Sequence, residues 1–238
     1  LNFNTDYLSV KNLDYRRQTA SSYLEFQTKY KKFDFVVGAR AEDYDMGGKY
    51  WLISETGIAE KDLISFKQFR IFPNASVQYN FMKQVYLNFN YNKKINLPSI
   101  SALNPNNNTY QNSNISTTGN PNLLPTIFDN YEIKLSAFDY AFIGYSLSVA
   151  KDQTMQKVYR NGNNITNEQQ NIPQMKIHNF NIGMPLPFML FTKGLKETMK
   201  FNFNPDKINF LYLYAGYQLH QLPDVESKGF WIANIMTQ

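Results

Sequence analysis

Cysteine is absent from the 238 residues. The chain therefore builds no disulfide framework, no thiolate zinc site and no cysteine nucleophile. Long apolar runs are also missing, and none approaches the roughly 20 residues that a transmembrane helix needs. Histidine occurs only at His178 and His220, without partners at ligand spacing, so no metal site is expected and each ring is read as lumen-facing or interfacial. The formal charge is +5 and the pI about 9.1, yet the longest basic runs are pairs such as Lys31-Lys32 and Lys93-Lys94. Charge that scattered belongs to faces and turns, and nucleic acid is not expected as a partner. No leader is visible either: Leu1 opens directly into a strand-like pattern, as in an internal or processed piece.

Catalytic signatures are equally scarce. There is no GxSxG, no serine with a plausible His and acid, and no phosphate-cradling glycine loop, so no enzymatic activity and no cofactor are expected. The acidic run Glu42-Asp43-Tyr44-Asp45 before Gly47-Gly48 lacks the ligand ladder and distal bidentate Glu of a calcium loop. It reads as a solvated rim.

What the chain has in quantity is aromatic residues, 19 Phe and 17 Tyr, at a mean hydropathy of only −0.46. Both hold together if apolar side chains occupy every second position. In "VYLNFNYN", Val85, Leu87, Phe89 and Tyr91 oppose Tyr86, Asn88, Asn90 and Asn92. The same period of two runs through 20–30, 33–42, 76–81, 131–137, 143–149, 180–184 and 199–204, and less cleanly through 208–219 and 229–236. This makes about ten strands of roughly 9 to 14 residues, longer than the usual strand of a soluble sheet. Only 58–66 resembles a helix.

Tight turns are expected at 31–32, 82–84 and 139–141, alternating with long polar connections near 45–67, 95–127 and 153–173. Alternating lengths put the long connections at one end of the sheet. That is the pattern of an outer-membrane barrel, with short periplasmic turns and long extracellular loops. Such a barrel turns its apolar face to lipid and its polar face to the lumen, and Asn, Ser and Gln suit a lumen because they hydrogen-bond without net charge. Phe33, Tyr79, Phe81, Tyr86 and Tyr140 suit the interfacial girdles. The expected fold is thus all-β, an antiparallel transmembrane β-barrel in a Gram-negative outer membrane. A soluble β-rich protein binding nucleic acid or glycan is the weaker reading.

Several local patterns carry a resemblance. Gly38-Ala39-Arg40-Ala41-Glu42 resembles a "G-x-R-x-E" strand, and Phe72-Pro73 an "FP" strand start. Leu97-Pro98 with Leu103-Asn104-Pro105 is similar to "RP…LNP", and Gly119–Pro125 followed by Tyr131-Glu132 to "GNPxLxPE…YE". Their order and spacing resemble those of TonB-dependent-receptor-like outer-membrane barrels of the Bacteroidota type. Leu97 stands where that pattern has Arg, and Thr126 where it has Glu. The resemblance implies a barrel of about 22 strands, of which residues 1–238 would be the barrel portion without a plug domain. It also implies uptake of a nutrient, whether glycan, peptide or metal chelate. The alternative is a non-transporting structural barrel subunit of a larger outer-membrane complex. Implied partners are outer-membrane lipid and lipopolysaccharide, a surface lipoprotein lid and a TonB-type energiser. In the loop 97–125, Asn104, Tyr110 and Asn120 are expected near a ligand, or else in structural turns packing the loop into the mouth. Glu25, Arg40, Glu42, Asn88 and Asn90 are expected to face the lumen or a plug. Arg40 paired with Glu42 or Glu25 would form a charge ladder fixing register, or a plug contact.

Overall fold

A computed structural model describes residues 13–54, 57–62, 65–104, 115–137, 141–188, 192–194, 210–223 and 225–237. Eleven strands form one sheet: β1 Leu13–Tyr30, β2 Phe33–Ser54, β3 Gly57–Asp62, β4 Phe66–Met82, β5 Val85–Asn96, β6 Ile115–Thr118, β7 Thr126–Ala137, β8 Ala141–Asn161, β9 Asn164–Pro187, β10 Phe210–Gln221 and β11 Phe230–Thr237. A single helical turn, α1 Ile100–Leu103, follows β5. The path runs β1-β2-β4-β5-β7-β8-β9-β10-β11, antiparallel at each step, with β3 beside β2 and β6 parallel to β9. Among the described residues β1 and β11 are each paired on one side only.

The register turns the period of two into two unlike faces. One row crosses the sheet as Phe26, Val37, Ala75, Tyr91, Tyr131, Leu147, His178 and Leu219. The neighbouring row, on the opposite face, reads Gln27, Val36, Ser76, Asn90, Glu132, Ser146, Asn179 and Gln218. Many apolar-face residues are largely solvent-accessible, Leu24 at 79% and Phe26 at 67% among them. An apolar face left this bare over nine strands needs a nonaqueous neighbour. At the turn end of that face Phe33 and Tyr79 meet at a tilt with centroids 4.8 Å apart, and Tyr79 meets Phe81 edge-on at 6.1 Å.

Three expectations are corrected. Of the helix expected at 58–66, residues 58–62 are instead strand, Gly57–Asp62 pairing with 49–54, and 63–64 lie outside the described residues. The register differs by one between Met46↔Phe66 and Lys49↔Asp62. Most of 45–67 and 153–173 is likewise strand, with β8 and β9 continuing to a two-residue loop at Gly162-Asn163. Gly162 takes φ 59° as the first central residue of that loop, a position suited to glycine. The alternation of connection lengths also breaks, first at this two-residue loop and again after β9. Pro187 faces Phe210, so residues 188–209 connect β9 to β10 at the tight-turn end. The turn expected at 139–141 and the strand at 199–204 fall mostly or wholly outside the described residues.

A spanning strand needs about 9–11 residues. With 22, 21 and 24 residues, β2, β8 and β9 exceed that twofold and project past the apolar band as hairpins.

Candidate functional site: the polar face and its mouth

Glu25, Arg40, Glu42, Asn88 and Asn90 all share the polar face, as the alternation predicts. Asparagine works there as a ladder. Ser76 Oγ donates to Asn90 Oδ1 at 2.6 Å, Asn130 Nδ2 to Asn92 Oδ1 at 2.9 Å, and Ser148 Oγ to Asn130 Oδ1 at 2.6 Å. Short amides facing one another across strands exchange hydrogen bonds and keep spare donors and acceptors for water or a ligand.

Charge gathers towards the loop end. Arg40 Nε lies 2.7 Å from Glu42 Oε1, and the Glu42 side chain is only 10% exposed. The Arg40 guanidinium also sits 5.5 Å from the Phe72 ring centroid. Arg40 therefore pairs with Glu42, whereas Glu25 accepts from the Tyr23 hydroxyl and from Gln27 Nε2 at 3.1 Å. Just above, Tyr44, Met46, Phe66 and Phe72 form a small apolar cluster on this otherwise polar face, covered by Tyr15, Ile95 and Leu97. Burial pushes the Tyr15 phenol up from its ordinary pKa, while the neighbouring Arg17 pulls the other way. A cavity of about 290 Å³ is lined by Arg17, Arg40, Glu42 and Tyr44 beneath Ile95 and Leu97.

The chain after β5 closes the mouth. Ser99 caps α1, its hydroxyl accepting from Ala102 N at 3.2 Å. Gly119 N donates to Asn104 O at 2.9 Å and Asn120 N to Ala102 O at 2.7 Å, which lays the "GNP" stretch against the "LNP" stretch. A Cβ on Gly119 would stand 2.4 Å from Asn104 O, so only glycine permits this approach. Leu123 is fully buried and Leu103 nearly so, and together they anchor the segment. Asn171 clamps its far end: Leu124 N donates to Asn171 Oδ1 at 2.8 Å, and Asn171 Nδ2 donates to Leu124 O at 3.0 Å and Asp152 O at 2.7 Å.

Between this segment and the β8–β9 hairpin lies a cavity of about 510 Å³, lined by Asn96, Ser99, Ser101, Asn104, Thr154 and Gln169 together with Thr117–Gly119. Its polar side chains are all amides and hydroxyls, and among the described residues no charged side chain lines it. Of the three loop residues expected near a ligand, Asn104 lines this cavity. Asn120 is a turn residue, its Oδ1 accepting from Asn122 N at 2.9 Å, and Tyr110 lies outside the described residues. Ser99, Ser101, Thr154 and Gln169 are sites that sequence reasoning missed; the Ser/Thr/Asn richness of the loop was the available signal. His178 belongs to the apolar face, where its Nδ1 hydrogen-bonds the Tyr145 hydroxyl at 2.8 Å, and His220 to the polar face, edge-on to Phe230.

The model of a family described as "Outer membrane protein beta-barrel family" matches residues 1–238. No curated protein matches the sequence. Among solved structures, the copper transporter OprC superposes with a TM-score of 0.55 at 8% identity, covering 93% of this chain and 40% of that one. The siderophore receptor PirA from Pseudomonas aeruginosa gives 0.47 at 13% identity, over 94% of this chain and 49% of that one. The ferric enterobactin receptor PfeA, in complex with BCV-L6, gives 0.45 at 10% identity, over 92% and 41%. The chain thus spans less than half the length of each. At these identities the likeness concerns the fold, and the OprC superposition carries it.

Proposed function

Because this chain belongs to the outer membrane protein beta-barrel family, and so resides in the outer membrane with its apolar face to lipid, we propose that it forms part of a transport barrel importing a nutrient under TonB-type energisation. The observation that carries the reading is the polar face, a hydrogen-bonding surface continuous from β1 to β10 that ends in the mouth cavity. Similarity in fold to a copper transporter supports transport as the role. The cargo is a neutral, polar molecule, a glycan or an uncharged peptide, because amides and hydroxyls line the mouth cavity and would leave a charged chelate without a counter-ion. The source is a bacterium of the Bacteroidota type, and a surface lipoprotein lid completes the mouth. No covalent chemistry is assigned to the chain.

Uptake assays test this. Cells lacking the gene are compared with wild type for labelled neutral oligosaccharides, oligopeptides and ferric chelates, with and without a protonophore. The reading expects loss of a neutral class, abolished in wild type by the protonophore. Unchanged uptake of every class, with altered migration of a larger envelope complex, would instead support a structural barrel subunit.

A further inference from the structure

The apolar face is not uniform. A groove of about 470 Å³ crosses β4, β5, β7 and β8 on that face, floored by Ala75 and walled by Phe89, Tyr91, Tyr131 and Tyr145. Its two rows are Ala75-Tyr91-Tyr131-Leu147 and Val77-Phe89-Ile133-Tyr145. A single methyl among four rings leaves the hollow open. Bulk lipid needs no such hollow, since a flat apolar face wets equally well.

One row further toward the loop end, the same face reads Lys93, Asp129, Val149 and Lys176, with Lys151 on the row beyond. These two rows hold three lysines and a single carboxylate, Asp129. Lys93 Nζ lies 3.5 Å from Asp129, whose oxygen also accepts from the Tyr91 hydroxyl at 2.8 Å. Lys151 and Lys176 are exposed and have no acidic partner among the described residues. With strands about 4.8 Å apart, the lysines span roughly 15 Å of rim directly above the groove. Further along the same face, on β1, β2 and β4, Arg16 and Lys67 instead stand beside Asp43 and Asp45, with Arg16 bonded to Asp45 at 3.0 Å.

We propose that groove and rim form one binding site for a phosphorylated glycolipid of the outer leaflet, with an acyl chain in the groove and phosphates on Lys93, Lys151 and Lys176. The proposal rests on the outer-membrane reading above. The leaflet follows from polarity along the strands: the rim lies at the end of the projecting hairpins, which faces outside, and anionic headgroups there complement clustered lysines. Long lysine stems reach past the last apolar row to headgroup level.

The test uses the full-length protein extracted from outer membranes in mild detergent. Native mass spectrometry reads retained lipid, and thermal shift reads titration with lipid A, dephosphorylated lipid A and phosphatidylglycerol. The expected result is retention of one lipid A per barrel and stabilisation by lipid A alone. The double variant Lys151→Glu/Lys176→Glu should bind about tenfold more weakly or worse. Ala75→Leu, which fills the groove from an exposed face, should also weaken binding while heat-modifiable gel migration stays intact. Equal retention by both variants, or indifference to the phosphates, overturns the proposal. So does a detergent-dependent barrel that retains no lipid A, an outcome that leaves the transport reading standing. A chain that folds in buffer without amphiphile would sink both.

Discussion

Asp152, at φ 53°, sits opposite Pro173 between the paired residues Lys151↔Gln174 and Gln153↔Ile172. Proline cannot donate to the ladder, and the freed Asp152 carbonyl accepts instead from Thr126 Oγ1 at 3.0 Å and Asn171 Nδ2 at 2.7 Å. A ladder break in the projecting hairpin thus becomes the fixing point for the loop that closes the mouth.

Asn171→Ala should therefore release that loop. It removes three hydrogen bonds worth about 1 kcal/mol each, and local stability should fall by about 2–3 kcal/mol. Hydrogen exchange at residues 115–126 reads this directly: faster exchange there, with the spanning parts of β5, β7 and β8 unchanged.

Gly119→Ala should open the same segment from the other side, because the added Cβ meets backbone oxygens of Asn104 and Ala102 at 2.4 and 2.6 Å. Limited proteolysis of whole cells should cut between 97 and 125 in the variant and spare the parent.

Arg40→Leu should cost about 1–3 kcal/mol, less than for a fully buried pair because the Arg40 side chain is 43% exposed, yet it strands the buried Glu42 carboxylate. Arg40→Leu/Glu42→Leu should recover most of the loss. Denaturant unfolding in detergent decides this, and an unrecovered double variant would mean the pair does more than balance charge.

Val77→Arg, on the outward face, should lower folded stability by about 2–4 kcal/mol, whereas Ser76→Arg, one residue away on the polar face, should cost under about 1 kcal/mol. Heat-modifiable gel migration gives the folded fraction of each.

The faces were legible in the sequence wherever one side meets lipid, because lipid forces strict alternation, as in Val85–Asn92. Beyond the bilayer that constraint ends. "QTMQKVYRNGNNITNEQQN" is polar on both sides, so it reads as loop although β8 and β9 remain paired to Asn161↔Asn164. Of the mouth, Asn104 was expected but its fixing points were not. Leu123, Asn171 and Asp152 meet only because the strands bring them together, and a spacing of this kind leaves no local pattern. The lysine rim was hidden for the same reason: Lys93, Lys151 and Lys176 lie on three strands and line up only through register.

Spin-label accessibility along β5 tests the central claim most directly. The stretch contains no cysteine, so Asn88→Cys, Phe89→Cys, Asn90→Cys and Tyr91→Cys can each carry one label in a lipid-reconstituted protein. The account predicts that labels at 89 and 91 favour collisions with dissolved oxygen. Labels at 88 and 90 should favour a water-soluble nickel chelate, with the ratio changing sign at every residue. Labels at 89 and 91 that are shielded from both relaxants, or reached by the nickel chelate, would mean that this face meets protein or water, not lipid.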